Sequence, residues 1–290
     1  MKIEEGVALA RLTTIGTGGA ARAFARPSSL PELERALAWA SERGLPVAVV
    51  GLGSNVLAAD DGVDSLVLRL VGELAAVHVE GEQLRAGGGA TNAVCLHHAR
   101  TAGLGGFEFA CAIPGTAGGG VWMNAGAYGS DWSGILLRVR VITADGDGWM
   151  TPAELRLSYR HSELHHGQVV AEVEYGLARR DVEAIKARVA ELVAQRKATQ
   201  PTNRRTFGSV FKNPQHELGA GRMLEACGLK GYRIGGAVVS PMHANFIENA
   251  GGATTANALA VMAEARRRAR ERFGVDLRHE VELLGPISVE

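Results

Sequence analysis

A glycine-rich run near the middle of the chain restricts the available folds more than any other feature. It extends from Ile113 to Gly129 and holds six glycines in seventeen residues, with Thr116, Asn124 and Tyr128 as its hydrogen-bonding side chains. Such a run exposes successive backbone N–H groups in a concave arrangement that suits a pyrophosphate. No Lys-Ser or Lys-Thr pair ends it, which argues against a nucleoside-triphosphate loop.

A second glycine loop, Gly51 to Asn55, directly follows a buried strand predicted for 47–50. It differs from the Rossmann fingerprint because Val56 occupies the third glycine position and no helical pattern follows. Asp60 and Asp61 also come too early to bind a ribose. Either loop alone is compatible with a ligand site, but also with tight turns or close strand crossings. Two such loops beside strands favour one dinucleotide site.

Apolar periodicity predicts a chain that alternates helices with strands. The predicted helices lie at 28–44, 92–102, 181–201, 221–226 and around the Arg-rich run 266–272, whose arginines we expect on a solvated face. The predicted strands lie at 47–50, 77–79, 83–86, 136–143, 169–175, 237–239 and 246–247, with a hairpin turn at 145–146. No repeats or low-complexity linkers interrupt this pattern.

The composition excludes several classes of function. The 290 residues are 46% apolar and 21% charged, and 31 basic residues balance 31 acidic ones, so disorder is excluded. No segment concentrates Lys or Arg with aromatic residues, so we expect no nucleic-acid partner. Neither a secretory leader nor an apolar stretch of about 18 residues is present, which predicts a cytoplasmic protein without a membrane segment. The sequence does not indicate an oligomeric state.

Cysteine and histidine spacing predicts neither a metal site nor a disulfide framework. The three cysteines, Cys95, Cys111 and Cys227, are far apart and form no CxxC pair, so we expect buried thiols. Two adjacent histidine pairs, at 97–98 and 165–166, diverge on a strand or a helix alike. We therefore predict no metal ion.

Seven motifs taken together resemble the UDP-N-acetylenolpyruvoylglucosamine reductases of bacterial cell-wall synthesis, in order and over nearly the whole chain. These motifs lie at 13–19, 51–55, 113–119, 124–129, 158–160, 208–214 and 243–247. The resemblance implies an α+β chain with a vanillyl-alcohol-oxidase-type (PCMH-like) FAD-binding fold. It has two α/β subdomains, 1–70 and 71–198, and a C-terminal substrate-binding α+β domain, 199–275, with a strand near 276–290 rejoining the first.

The same resemblance implies the cofactor and the reaction. FAD is bound without a covalent link, NADPH is the reductant, and the enolpyruvyl ether of UDP-N-acetylglucosamine is reduced to UDP-N-acetylmuramate for peptidoglycan. The implied FAD contacts lie in both glycine loops, and they are Gly51, Leu52, Gly53, Ser54, Asn55, Ile113, Pro114, Gly115, Thr116, Gly118, Gly119, Gly126 and Ala127.

Three residues match the family's catalytic positions. Arg160 carries a planar guanidinium suited to a carboxylate, and it is the candidate that neutralises the enolate. Ser209 is the candidate proton donor, and Glu280 is the candidate that orients Arg160 or donates a hydrogen bond to the substrate carboxylate. Glu282 is the rival of Glu280, because we expect both on one strand face.

Further residues match substrate contacts. Tyr159 would line the enolpyruvyl site, while Lys212 and Asn213 would contact the diphosphate and uridine. Residues 162–181 form a short interval in which Tyr175 fits a strand. The resemblance therefore implies the subgroup without a tyrosine-bearing lid.

Two alternatives remain open at this point. The first is another FAD oxidoreductase of the same fold, such as an alcohol or sugar oxidase. The second is a non-enzymatic module that binds nucleotide sugars, for which Arg160, Ser209 and Glu280 would be unnecessary.

Overall fold

The computed structural model describes residues 1–289, in which helices and strands alternate as predicted. The strands in chain order are β1 (Ile3–Glu4), β2 (Val7–Ala8), β3 (Ala20–Ala25), β4 (Val47–Val49), β5 (Val56–Ala58), β6 (Val63–Leu68), β7 (Val77–Glu80), β8 (Gln83–Gly87), β9 (Leu104–Gly105), β10 (Gly126–Ala127), β11 (Ser130–Asp131), β12 (Leu136–Thr143), β13 (Gly146–Met150), β14 (Val169–Gly176), β15 (Ala178–Arg179), β16 (Thr206–Ser209), β17 (Arg233–Ile234), β18 (Ala237–Val239), β19 (Phe246–Asn249) and β20 (Glu282–Leu284). The helices are α1 (Leu30–Ser41), α2 (Asn92–Thr101), α3 (Ala117–Trp122), α4 (Val182–Thr199), α5 (Ala220–Ala226) and α6 (Thr255–Phe273).

Five of these helices confirm the predicted ones, and α3 does not appear among the predictions. It lies inside the glycine-rich run, where three glycines in six residues oppose helix formation. Two local features compensate for this. The Thr116 hydroxyl accepts a hydrogen bond from the Gly119 N–H at 3.4 Å, and Gly120 fits against Trp132, whose Cζ2 would lie 2.5 Å from an added Cβ.

The described chain forms two compact units. The first comprises 1–5, 23–52 and 65–196, and the second comprises 6–22, 53–64 and the described residues from 197 onward. The division passes through β3, β6 and α4, between Glu5 and Gly6, and between Leu52 and Gly53. The three-part arrangement that the resemblance implies stays a prediction.

The first unit contains a five-stranded antiparallel sheet with the strand order β13-β12-β14-β8-β7. One face packs against α2 and α3 around a core that includes Trp132 and Tyr175, both fully buried. Their polar atoms satisfy each other, because the Trp132 indole N–H donates to the Tyr175 hydroxyl at 2.8 Å. Tyr175 belongs to β14, so its predicted place in a strand is confirmed.

A second core of the first unit lies between α1 and neighbouring strands. Pro31 stands in the first turn of α1, and the buried residues Leu33, Leu37 and Ala40 recur at helical spacing. In this unit, β1 pairs with the Phe24–Ala25 end of β3, and β4 runs parallel to the Leu66–Leu68 end of β6.

The second unit is built on a four-stranded antiparallel sheet of order β16-β19-β18-β17 and on α6. The N-terminal end of α6 is fixed by Asp60, whose two carboxylate oxygens accept from the N–H groups of Thr255 and Ala256 at 2.8 and 2.9 Å. The predicted solvated face of α6 is confirmed for Arg267 and Arg270, whose side chains are 54% and 64% exposed, whereas Arg266 and Arg268 are 22% and 30% exposed. Strand β20 pairs in parallel with β5.

No helix within residues 1–289 is long and apolar enough to cross a membrane.

A buried carboxylate joins three strands of the first unit. Glu174 on β14 lies between Arg138 on β12, with Nε 2.6 Å from its Oε2, and Arg85 on β8, with an amino nitrogen 2.8 Å from its Oε1. Its side chain is 5% exposed. The hydrogen bond and charge of Arg138 hold the pKa of Glu174 below its ordinary value.

We predict that Glu174→Gln lowers the free energy of unfolding by about 1–3 kcal/mol at pH 7, because charge-assisted hydrogen bonds are lost. A carboxyl whose pKa is depressed on folding stabilises the protein above its unfolded pKa, and this stabilisation is lost as pH falls through the folded value. The difference between wild type and variant in urea denaturation should therefore shrink below pH about 4. Glu183→Gln, on an exposed face of α4, is the control. A difference that does not change with pH would contradict the charge argument.

Candidate active site

The two predicted glycine loops are in contact within the first unit. A Cβ on Gly51 would lie 2.6 Å from the Thr116 hydroxyl oxygen, so only glycine permits this approach. Thr116 is also the residue that caps α3. The end of β4 and the start of α3 are thereby held together.

Main-chain contacts hold the first half of the glycine-rich run. The Asn92 side chain donates to the Ile113 carbonyl at 3.0 Å, and its own N–H donates to Gly115 at 3.0 Å. The N–H of Gly118 donates to Gly88 at 2.9 Å. Gly119 has its open side toward solvent, because an added Cβ would meet only the Thr116 hydroxyl, at 3.4 Å. This accessible backbone could receive a cofactor.

Arg160 lies beside the second half of the same run. Ser158 and His161 exchange backbone hydrogen bonds of 3.0 and 3.1 Å, which closes a tight turn with Arg160 at φ 54°. The guanidinium Nη2 donates to the Gly126 carbonyl at 2.6 Å, and the guanidinium carbon lies 5.0 Å from the centre of the Tyr159 ring. Two predicted residues, Arg160 and Tyr159, thus adjoin the predicted FAD contact Gly126.

Asn124 connects the run to the Arg160 turn. It is 1% exposed, its Nδ2 donates to the Ser158 carbonyl at 2.9 Å, and its Oδ1 accepts from the Ser133 N–H at 2.9 Å. Among residues 1–289 four non-glycine residues have positive φ, and these are Asn124, Tyr128, Arg156 and Arg160. Such conformations cost about 1–3 kcal/mol each and concentrate at functional sites.

Ser209 lies at the end of β16 in the second unit, directly after a β-bulge. Thr206 pairs with Glu248 and Ser209 pairs with Phe246, so β16 holds one residue more than β19 over this stretch. Gly208 supplies the left-handed conformation, at φ +82°. An extra residue reverses the face that the next side chain occupies, so the bulge decides where Ser209 points.

Glu280 lies on a segment that hydrogen-bonds to Val210, the residue directly after Ser209. Its N–H donates to the Val210 carbonyl at 2.8 Å. Asn55 borders Glu280 on another side, since its Nδ2 donates to the Glu280 carbonyl at 3.1 Å. A Cβ on Gly208 would lie 3.3 Å from the Ser54 carbonyl oxygen. Ser209, Glu280 and the loop residues Ser54 and Asn55 therefore form one neighbourhood in the second unit.

The expectation that Glu280 and Glu282 share a strand face is wrong. Strand β20 begins at Glu282, whose N–H donates to the Asn55 carbonyl at 3.0 Å. Glu280 precedes β20 and pairs with Val210 instead. The two carboxylates thus belong to different pairings, because the chain changes its hydrogen-bonding partner between them.

Lys212 and Asn213 continue the Ser209 segment. The Lys212 N–H donates to the Arg278 carbonyl at 2.9 Å, which keeps this segment beside the one that carries Glu280. The Asn213 Oδ1 accepts from the Ala220 N–H at 3.0 Å, in the first turn of α5. Asn213 thus has a structural function at the start of α5.

Two family models match successive parts of this chain. Residues 21–149 match the family model described as FAD binding domain. Residues 200–284 match the model of the UDP-N-acetylenolpyruvoylglucosamine reductase C-terminal domain.

Relatives match over nearly their full length. The UDP-N-acetylenolpyruvoylglucosamine reductase of Myxococcus xanthus is 44% identical over 288 residues, which are 98% of this chain and 93% of the relative. The reductase of the same name from Rubrobacter xylanophilus is 44% identical and covers 96% of this chain and 93% of its own.

A solved structure extends the likeness to the fold. The crystal structure of UDP-N-acetylenolpyruvylglucosamine reductase (MurB) from Thermus caldophilus superposes with a TM-score of 0.86 at 36% identity, over 98% of this chain and 99% of that one. Sequence, domain models and fold agree, and this chain belongs to the UDP-N-acetylenolpyruvoylglucosamine reductase family.

Proposed function

We propose that this protein reduces UDP-N-acetylglucosamine enolpyruvate to UDP-N-acetylmuramate, with FAD as its bound cofactor and NADPH as reductant, in peptidoglycan synthesis. The observation that carries the proposal is the backbone pairing of Glu280 with Val210. It brings the proposed acid groups Ser209 and Glu280 together beside Ser54 and Asn55, within a chain of the reductase family. A cytoplasmic location stays a prediction from the sequence.

The residues of both glycine loops fit a dinucleotide. Positions such as Gly51 exclude any larger side chain, and Gly119 leaves the backbone open on one side. We propose that the thirteen loop residues implied by the resemblance hold FAD, with the exposed backbone of Gly119 as part of the contact surface. When bound, FAD supplies hydride transfer from NADPH to the enolpyruvyl carbon.

Arg160 binds the carboxylate of the enolpyruvyl group in this proposal. Hydride addition to the terminal carbon leaves negative charge on the neighbouring carbon and its carboxylate, so a cation fixed there lowers the barrier. The Gly126 carbonyl holds the guanidinium at 2.6 Å and restricts its orientation. Tyr159 lies against the guanidinium and lines the enolpyruvyl site.

Ser209 then donates the proton that completes the reduction. Its hydroxyl transfers a proton to the carbanionic carbon. This carbon is the neighbour of the terminal carbon, which receives the hydride. Glu280 stabilises the enolate together with Arg160 in this proposal. Lys212 and Asn213 contact the diphosphate and uridine.

We further propose that no tyrosine lid closes over the substrate. Half of the interval 162–181 is taken up by β14 and β15. Its tyrosine, Tyr175, is fully buried and accepts a hydrogen bond from Trp132. Such a side chain is unable to reach a ligand at the surface.

The first prediction from the proposed function concerns FAD and two adjacent glycines of α3, Gly119 and Gly120. Gly119→Ala should keep the thermal stability of the flavin-free protein, because alanine favours a helix. It should weaken FAD binding about tenfold or more, a loss of about 1.4 kcal/mol, by placing a methyl group on the proposed contact surface. Gly120→Ala, directed at Trp132, should instead lower the melting temperature through overpacking. FAD fluorescence titration and thermal melts separate the two, and unchanged FAD affinity in Gly119→Ala would place the cofactor elsewhere.

The second prediction concerns the reaction as a whole. The purified protein should be yellow, and acid precipitation should release all of its flavin because the link is non-covalent. NADPH oxidation should depend on added UDP-N-acetylglucosamine enolpyruvate, with UDP-N-acetylmuramate as the product identified by mass spectrometry. A colourless protein that binds no added FAD would refute the proposal. A rate of NADPH oxidation that does not change when the substrate is added would also refute it.

The third prediction separates the acid groups. Ser209→Ala should retain flavin reduction by NADPH and should lose about 100-fold or more in the rate of reoxidation by the enolpyruvyl substrate, the usual scale of general-acid loss. Glu280→Gln should also slow reoxidation, whereas Glu282→Gln, in β20, should not. Rapid-mixing absorbance measurements follow both half-reactions. An equal loss in both half-reactions of Ser209→Ala would make Ser209 a structural residue.

A further inference from the structure

A buried asparagine supports the backbone directly beyond Ser209. Asn245 is 4% exposed and precedes β19. Its Nδ2 donates to the Phe211 carbonyl at 2.8 Å, and its Oδ1 accepts from the Phe211 N–H at 3.0 Å. Its own carbonyl accepts from the Val210 N–H at 2.9 Å. Three hydrogen bonds from one residue thus hold two consecutive residues of the Ser209 segment.

These bonds occupy the edge of the segment opposite to Glu280. Phe211 forms an antiparallel bridge with His279, and the flanking bonds run from Glu280 N–H to Val210 and from Lys212 N–H to Arg278. In such a bridge the N–H and C=O of Phe211 point away from the segment that carries His279 and Glu280. There the Asn245 amide takes the place of a neighbouring strand and satisfies both groups.

The bulge makes this support important. Regular pairing between β16 and β19 is interrupted between Thr206 and Ser209. The chain on the far side of the bulge, from Ser209 to Lys212, is held on its β19 edge by the Ser209–Phe246 pair and by Asn245. A displacement of about 1 Å in a reacting group can cost about 100-fold in rate.

We propose that Asn245 is a positioning residue that holds the Ser209 hydroxyl in place for the protonation step. The inference rests on the proposed function, because it takes Ser209 as the proton donor. It assigns to Asn245 an effect on reoxidation by the enolpyruvyl substrate and none on flavin reduction by NADPH. A purely structural asparagine would change protein stability without separating the two half-reactions.

Two variants test the proposal in the full-length, FAD-loaded protein. Asn245→Leu removes both side-chain hydrogen bonds and leaves the buried Phe211 groups without that partner. Asn245→Asp keeps the shape. Its neutral acid form can accept from the Phe211 N–H and donate to the Phe211 carbonyl, whereas its carboxylate faces that carbonyl without a proton. Asn249→Leu in β19 is the matched control, since Asn249 also bonds backbone groups through its amide, at Ile15, Gly251 and Ala253.

We expect Asn245→Leu to slow reoxidation about 10- to 100-fold, with flavin reduction within about twofold of wild type. The solvent deuterium isotope effect on reoxidation should rise, since proton transfer becomes slower. Asn245→Asp should regain reoxidation rate as pH falls and its side chain protonates, a titration that is absent from wild type. This acid rescue also tests the proposal if Asn245→Leu does not fold. Asn249→Leu should show no split between the half-reactions.

The outcomes distinguish the inference from the function on which it rests. Normal reoxidation in Ser209→Ala would overturn the role of Ser209, and with it the role of Asn245. Slow reoxidation in Ser209→Ala, together with equal changes in both half-reactions of the Asn245 variants, would overturn the inference alone. Absence of acid rescue in Asn245→Asp, or the same split in Asn249→Leu, would also overturn it.

Discussion

The first unit depends on backbone segments that approach each other more closely than side chains permit. An added Cβ on Gly88 would overlap the Val170 carbonyl of β14, and one on Gly89 would overlap the Leu70 carbonyl. These glycines let the chain between β8 and α2 lie directly on the central sheet. Gly118 then packs on Gly88, and Thr116 packs on Gly51. The accessible backbone that we propose as the FAD contact is therefore a product of main-chain packing.

In the second unit, main-chain pairing likewise places the proposed acid groups. Ser209 and Glu280 lie on segments that hydrogen-bond to one another, and Asn55 joins the segment on either side of Val281. Main-chain pairing is less sensitive to substitution than contacts between long side chains, because every residue except proline carries both groups. Charged side chains dominate elsewhere, as in the Glu174 network of the first unit, where they stabilise a sheet and have no part in the proposed chemistry.

Much of this arrangement could be predicted from the residues. Apolar periodicity located α1, α2, α4, α5 and α6, and the failed fingerprint at Val56 correctly joined the two glycine loops into one neighbourhood. Helix α3 is absent from the predictions because helix propensity opposes it, and the contacts of Gly118 with Gly88 and of Gly120 with Trp132, which favour glycine, lie outside the local pattern. The bulge and the bonds of Asn245 depend on register between segments about 35 residues apart, which local patterns do not encode. The chemical roles of Arg160, Ser209 and Glu280 came from the resemblance, since each residue type is common in loops.

The one-residue excess of β16 over β19 has a consequence for how this segment tolerates changes of length. Strand side chains alternate with a period of two, so Thr206 and Ser209, three residues apart, would point to opposite faces of a regular strand. The extra residue instead places them opposite Glu248 and Phe246, which share one face of β19. Removal of Gly208 would restore a continuous ladder with Ser209 still opposite Phe246, but it would take away the left-handed residue that precedes Ser209. The pairing of β16 should therefore tolerate the loss of this one residue, whereas the path of the backbone into Ser209 would change.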